Sequence, residues 1–351
     1  MKESLILLRA IGGSLGFILI ILSFIRFRSR LIRRRGFLIS SLLGAGLLIV
    51  SIIPDTVNII AGMLQMDNRQ YGRLITLLIL SSFLLWIIVL SLINRNTTRS
   101  IQFDFLVRKL AVDNFLARND LTAIKYITII IPALNEAENL RHILPEMPAA
   151  ISGQECCVLV VDDGSDDDTV EAVRENKGLV VSNPINRGGG AALRLGYDIA
   201  TAGGAGIVVT MDGDGQHIPG EIENLVKPII EDRLDIVIGS RILGKREKDS
   251  MIRWLGIHIF NHVINLLAGT RITDCSNGFR AFRVASLQKV LLRQDQFHTA
   301  ELIIDAAKKK IRIGEAPVTV LRRHTGASKK GRNMSYGLNF SKTVFKTWLR
   351  K

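Results

Sequence analysis

Two carboxylates separated by a single glycine, Asp212-Gly213-Asp214, with Gln216 just beyond them, are the residues of this chain best suited to chemistry. On an extended segment, side chains two apart point the same way. Carboxylate oxygens so placed suit a hard divalent cation, Mg2+ or Mn2+, and a cation held there offsets charge growing on a departing phosphate. Further polar groups lie at Pro132-Ala133-Leu134-Asn135-Glu136 and at Asp162-Asp163-Gly164-Ser165. Asn135 and Glu136 also fit a helix start, and Asp168 is placed to cap a helix beginning at Thr169. Arg241 and Arg280 carry the planar fork that grips phosphate with two hydrogen bonds, or a carboxylate in an ion pair.

These groups follow short β-rich runs. The pattern predicts strands near 126–131, 158–162, 179–182, 207–211 and 236–239, with helices near 138–150, 169–175, 190–202 and 219–231. Such alternation implies an α/β domain, a mostly parallel sheet with helices on both faces. Ligands of such sheets bind at the carboxyl ends of the strands, where the acidic motifs fall. A dinucleotide site would need a glycine-rich turn after the first strand, and the chain has none there. Gly188-Gly189-Gly190 come after the third strand and lack the Lys-Ser/Thr ending of a P-loop. Cys156, Cys157 and Cys275 form no CxxC pair and read as core thiols.

The chain has 351 residues, a net charge of +14 and 48% hydrophobic residues. The apolar excess lies in residues 1–95, in runs at about 5–25, 37–53 and 74–93, each near the ~20 residues that cross a bilayer as a helix. This predicts a three-helix transmembrane anchor; a cleaved signal peptide is disfavoured because further apolar runs follow the first. Arg26, Arg28, Arg30, Arg33, Arg34 and Arg35 crowd between the first two runs, and Arg95, Arg99, Arg108 and Lys109 follow the third. The positive-inside rule then puts the N-terminus outside and the rest in the cytoplasm. Basic residues beside apolar runs fit anionic lipid headgroups, and no nucleic-acid motif accompanies them. Residues 96–124 read as an amphipathic linker, either lying on the membrane or packed on the next domain. Residues 331–351 read as a basic amphipathic tail.

Over residues 125–330, eight pieces occur in one order: PALNEAENL, VVDDGSDDDT, NRGGGAALRLG, MDGDGQH, GSR, DCSNGFRAF, Glu301 and RRHTGASKKG. Together they resemble the family 2 inverting glycosyltransferases with a GT-A fold, and most of all the polyprenyl-phosphate group typified by dolichol-phosphate mannosyltransferase. The resemblance implies transfer of one sugar from a GDP- or UDP-sugar to polyprenyl or dolichyl phosphate. Pro132, Asn135, Glu136, Asp162 and Asp163 would line the nucleotide, with Asp163 addressing the base. Asp212, Asp214 and Gln216 would hold the metal, Arg241 the donor, and Arg322, Arg323, Ser328 and Lys329 the diphosphate or lipid phosphate. Asp214, Asp274 and Arg280 would be catalytic, with Asp274 acting as base only if the acceptor is a hydroxyl. A phosphate monoester has a second pKa near ~6 and needs no strong base. Other glycolipid acceptors remain the alternative, while a scaffold without catalysis fits poorly with an intact acidic motif. Processive polysaccharide synthases carry QxxRW, but Ser250 stands at the Gln position before Arg253-Trp254. Gly215 replaces the bulkier apolar residue usual in the mannosyltransferases, so GDP-mannose, UDP-glucose and UDP-N-acetylglucosamine all stay open as donors.

Overall fold

The computed structural model describes residues 2–28, 34–63, 72–246, 251–294, 298–322 and 343–350. Two compact units emerge, Met1–Ile101 and Gln102–Lys351.

The first unit contains α1 (Lys2–Arg28), α2 (Arg34–Ile52), α3 (Thr56–Met63) and the beginning of α4 (Gly72–Leu116). α1 and α2 form an antiparallel pair set by small residues. A Cβ on Gly16 would lie 2.7 Å from the carbonyl oxygen of Gly44, and one on Gly44 equally close to that of Gly16. Glycine thus lets the two backbones touch, as in helices that associate within lipid. Phe27 stacks on Phe37 with ring centroids 4.7 Å apart. Outward-facing apolar side chains such as Phe17, Leu22, Leu38 and Leu42 stay exposed. Among the described residues one stretch, Arg9–Arg28, has the length and hydropathy to cross a bilayer, and Gly36–Ile52 is apolar but shorter. Of the three expected spans, one therefore qualifies among the described residues, and α3 is a further helix of eight residues. The third apolar run and the start of the expected linker form one continuous 45-residue helix, α4.

The second unit is built on β1 (Ile127–Ala133), β2 (Ala150–Ile151), β3 (Gln154–Asp162), β4 (Leu179–Ser182), β5 (Ile207–Thr210), β6 (Ile236–Arg246), β7 (Arg280–Arg283) and β8 (Ile313–Val320). The main sheet runs β2-β3-β1-β5-β7-β6-β8, with β4 also pairing with β3. β3, β1, β5 and β4 are mutually parallel, as are β6 and β8, whereas β7 runs antiparallel between β5 and β6. The sheet is mostly parallel as expected, but short β7, with arginine at both ends, and β8 lacked an apolar run long enough to announce them.

Helices cover both faces: α5 (Ala137–Ile143), α6 (Thr169–Glu175) and α8 (Ile222–Ile230) on one, α7 (Gly189–Ala202) and α11 (His298–Lys308) on the other, with α9 (Met251–Ala268) and α10 (Val284–Leu287) completing the set. The period of two along β1 divides the core. Ile127, Ile129 and Ile131 join the α5–α8 side, while Ile130 joins the α7 side. Ala111 and Phe115, from the end of α4, belong to that second core, so this part of the expected linker is packed. The expected helix at 138–150 stops early, because Pro145 sits in a 3-10 turn at Leu144–Glu146 and β2 follows. β1 reaches Ala133 and so takes in Pro132, which the sequence placed after the strand.

α7 approaches β1 and β3 closely at Gly196, where a Cβ would stand 2.6 Å from Cγ2 of Ile130 and 3.1 Å from Cγ2 of Val161. Both neighbours are branched and held in the sheet, so neither yields cheaply. Gly196→Ala is expected to cost about 1–3 kcal/mol by overpacking, read as a lower thermal midpoint of the purified chain. An unchanged midpoint would show that α7 can lift.

Candidate active site

The acidic motifs gather where β1, β3 and β5 end. β1 and β3 are in register to their last residues, Ala133 opposite Asp162. The loops beyond them are stitched together by short polar bonds. Asn135, in the left-handed region at φ 52°, donates its amide to Oγ of Ser165 at 2.9 Å, and its Oδ1 accepts the amide of Asp166 at 2.8 Å. The amide of Glu136 donates to Oγ1 of Thr169 at 3.0 Å. Asp167, and not Asp168, supports the start of α6: its Oδ1 accepts the amide of Thr169 and its Oδ2 the amide of Ala137. Asp168 occupies the cap position without a side-chain cap bond.

Asp162 and Asp163 are both buried. Oδ1 of Asp162 accepts the amide of Ser165 at 2.9 Å and closes the turn. Asp163 faces the β4–α7 loop. Its Oδ1 accepts Nδ2 of Asn183 at 2.8 Å and the amide of Arg187 at 3.1 Å, and its Oδ2 accepts the amide of Gly188 at 2.6 Å. Gly188 has φ 92° and ψ 157°, a conformation open essentially to glycine alone. Burial pushes the Asp163 carboxyl above the ordinary range, and these donors offset only part of that. The sequence offered Asp163 to a nucleobase. In the structure both its oxygens are engaged by this loop, so its visible work is to hold the loop in place.

β5 ends at Thr210, and Gly213 and Asp214 lie in a turn, not on an extended segment. The period-two argument for the two carboxylates therefore lapses: the Asp212 side chain is 43% exposed, whereas Asp214 is 4% exposed. The turn is clasped on three sides. Gly213 rests against Ile131 and the carbonyl of Pro132. Gln216 donates Nε2 to the carbonyl of Leu321 at 2.8 Å, and its own carbonyl accepts the Leu321 amide at 2.9 Å. Gly278 backs the Asp212 carboxylate so closely that a Cβ there would lie 2.7 Å from its Oδ1. His217 is buried on the ring of Phe279, with centroids 4.8 Å apart and Nε2 3.9 Å from Oδ2 of Asp212.

Among the described residues no three His, Cys, Asp or Glu side chains converge as a complete metal cage. The donor set still fits a Mg2+-like ion. Such ions are held by one or two carboxylates while substrate phosphates supply further oxygens. Asp212 and Asp214 offer the carboxylates, and Gln216, its amide nitrogen engaged, keeps Oε1 for a cation.

The two arginines expected at phosphate behave differently from that expectation. Arg241 turns its fork onto Asp274, with Nε to Oδ2 at 2.6 Å and Nη2 to Oδ1 at 3.0 Å, and adds Oγ of Ser276 at 2.7 Å. Asp274 is fully buried. Burial alone would raise its pKa, but the hydrogen bonds and charge of Arg241 outweigh burial and hold the carboxyl below the ordinary range. Glu315 fixes the same segment by accepting the amides of Thr273 and Asp274. Arg280 is buried beneath the site and spends Nε, Nη1 and Nη2 on the carbonyls of Asn277, Thr299 and Cys275. That placement corrects the expectation of a phosphate contact: Arg280 braces the 275–278 loop that carries Gly278 against Asp212. Arg322 is exposed just after β8. Arg323, Ser328 and Lys329 lie outside the described residues, as does most of the expected 331–351 tail.

Sequence reasoning missed Asn183, Glu315 and Gly278. Asn277 and Gly278 stood inside a quoted motif, but Glu315 carried no local signal, because its partners lie some forty residues away.

Comparison with known proteins locates this geometry. The family profile described as "Glycosyl transferase family 2" matches residues 128–291. The UDP-N-acetylglucosamine–dolichyl-phosphate N-acetylglucosaminyltransferase of Methanococcus voltae is 33% identical over 237 residues, covering 61% of this chain and 92% of that protein. The polyprenol monophosphomannose synthase of Mycolicibacterium smegmatis is 31% identical over 230 residues, covering 62% and 84%. A crystal structure of glucosyl-3-phosphoglycerate synthase from Mycobacterium tuberculosis with Mg2+ and UDP superposes with a TM-score of 0.50 at 22% identity, covering 65% and 80%, and shares the fold.

The ion pair makes a pH-dependent contribution. Because the folded Asp274 carboxyl sits below its ordinary value, its stabilisation is present at neutral pH and is lost as pH falls through that lowered pKa. Asp274→Ala is expected to cost about 3 kcal/mol at pH 7, a difference that shrinks below about pH 4. Denaturant melts of both forms at the two acidities check this, and equal losses at both would refute the ion-pair account.

Proposed function

Because this chain belongs to glycosyl transferase family 2, we propose that it transfers one sugar, with inversion, from a nucleotide-sugar to a polyprenyl or dolichyl phosphate, using a divalent cation. The observation that carries the acceptor is the state of Asp274. A general base must have a carboxylate free to take a proton. Asp274 is buried, bound on both oxygens by Arg241 and held below the ordinary carboxylate range. An acceptor that is already an anion has no use for such a base, since a phosphate monoester is largely dianionic above its second pKa near ~6. Relatives named for dolichyl-phosphate and polyprenol products support the same acceptor.

In this reading a phosphate oxygen of the acceptor forms the new bond to the anomeric carbon, and the bond from that carbon to the nucleoside diphosphate breaks. The leaving group departs with the electron pair, and no proton needs to be removed. When bound, Mg2+ or Mn2+ supplies charge neutralisation at the diphosphate. Asp212, Asp214 and Gln216 would hold it. The loops at Pro132, Asn135, Glu136, Asp162 and Asp163 would form the nucleotide end. Arg241 and Asp274 would set the wall between donor and acceptor, while Arg280 keeps Gly278 against Asp212. Arg322, Arg323, Ser328 and Lys329 would contact the diphosphate or the lipid phosphate. The arginines flanking α1 and following residue 95 support a cytoplasmic catalytic unit on a membrane anchor of up to three spans.

A panel of UDP- and GDP-sugars, with the chain in lipid, a divalent cation and polyprenyl phosphate, tests the reading. The expected product is a charged glycolipid cleaved by mild acid, and its absence with every donor refutes the acceptor. Asp214→Asn should lower transfer by about a hundredfold or more. Gly278→Ala should displace the Asp212 carboxylate, costing about tenfold to a hundredfold in rate with little change in thermal midpoint. A Gly278→Ala protein as active as wild type would detach Asp212 from the site.

A further inference from the structure

The second unit begins inside α4, and that part of the helix is bound to the site through one residue of the β4–α7 loop. Val107, Ala111 and Phe115 are buried at four-residue spacing. Near them Asp104 receives three guanidinium groups. Nη2 of Arg187 donates to its Oδ1 at 2.5 Å, Nη2 of Arg194 lies 3.3 Å from the same oxygen, and Nε of Arg108 lies 3.3 Å from Oδ2. Arg187 and Arg194 are nearly buried, with side chains 10% and 7% exposed. Burial would raise the Asp104 carboxyl, but Arg194, Arg187 and Arg108 together bring it below the ordinary range and keep it charged.

Arg187 therefore carries two bonds to two carboxylates. Its side chain is held by Asp104 on α4, and its backbone amide, with that of Gly188, is held by Asp163 at the end of β3. The loop from Asn183 to Gly188 hangs between those anchors. Charge-assisted bonds are roughly twice as strong as neutral ones and fix direction, so losing the outer anchor leaves the inner one to hold the loop alone.

We propose that Asp104 is a positioning residue for the nucleotide end of the donor site, acting through Arg187 on the amides that face Asp163. It rests on the reading of that loop cluster as the nucleotide end. Asp104 lies before the region 128–291 that the family profile matches, so donor binding in this chain depends on a helix outside that profile.

The test uses the full chain in lipid or detergent. Asp104→Asn keeps the shape and removes the charge, Asp104→Glu restores it, and Asp198→Asn alters the outer end of the same cluster, where Arg108 lies 3.1 Å away. Asp104→Asn should raise the KM for donor and the Kd for UDP or GDP with Mg2+ about tenfold, a coupling of ordinary size for linked polar groups, with kcat changed less than about twofold. Amide hydrogen exchange should quicken in the 184–188 peptide alone, Asp104→Glu should recover most of the affinity, and Asp198→Asn should match wild type. If Asp104→Asn fails to fold, Arg187→Lys, which keeps the charge and loses the fork, is held to the same expectations. Unchanged nucleotide affinity, or quickened exchange spread over the whole unit, overturns the tether. A wild type that binds UDP or GDP but glycosylates no polyprenyl phosphate overturns the proposed acceptor only, since affinity and exchange still judge the tether. A wild type that binds neither nucleotide overturns both.

Discussion

A carboxylate withdrawn from water must be met by donors or a cation, and at the carboxyl edge of this sheet that requirement organises almost everything nearby. Asp163 draws three loop donors onto itself, Asp274 draws Arg241, and Glu315 draws two backbone amides. Each bond closes one irregular segment that has no ladder of its own. The site is therefore a set of loops folded around buried and half-buried acids, with the sheet deciding only where the acids emerge.

Asp212 and Asp214 sit differently. Asp212 is the more open, its side chain 43% exposed and backed by glycine at 278. The contrast separates two uses of negative charge within one edge. Asp163, Asp274 and Glu315 hold loops, while in the turn after β5 the buried Asp214 accepts the amide of Gln216 and Asp212 keeps the more exposed side chain. The same division applies to the arginines. Arg241 and Arg280 are spent on Asp274 and on loop carbonyls.

Much of this was legible in the linear order of residues. The alternation of β-rich and helical runs, and the polar motifs after the strands that became β1, β3 and β5, placed those motifs at the right edge of an α/β sheet, because strand patterning and turn chemistry are local properties. The boundaries of α6 and β4 agree with expectation for the same reason. Local patterns could not reveal β7, four residues long and antiparallel at the heart of the sheet. Its identity comes from pairing with β5 and β6, which no window along the chain contains. Nor could they show that Arg241 is locked onto Asp274, thirty-three positions away, or that Arg280 is buried under its own loop.

By itself the sequence determined the family, the chemistry on offer and the presence of an apolar N-terminal region, since these rest on residue type, order and composition. Tertiary structure alone decided which charges are used up inside the protein. It turned Asp163 toward its own loop, locked Asp274 against Arg241, buried Arg280, and brought Asp104 on α4 to Arg187. The physical reason is that burial and charge pairing are set by residues far apart in the chain: eighty-three positions separate Asp104 from Arg187.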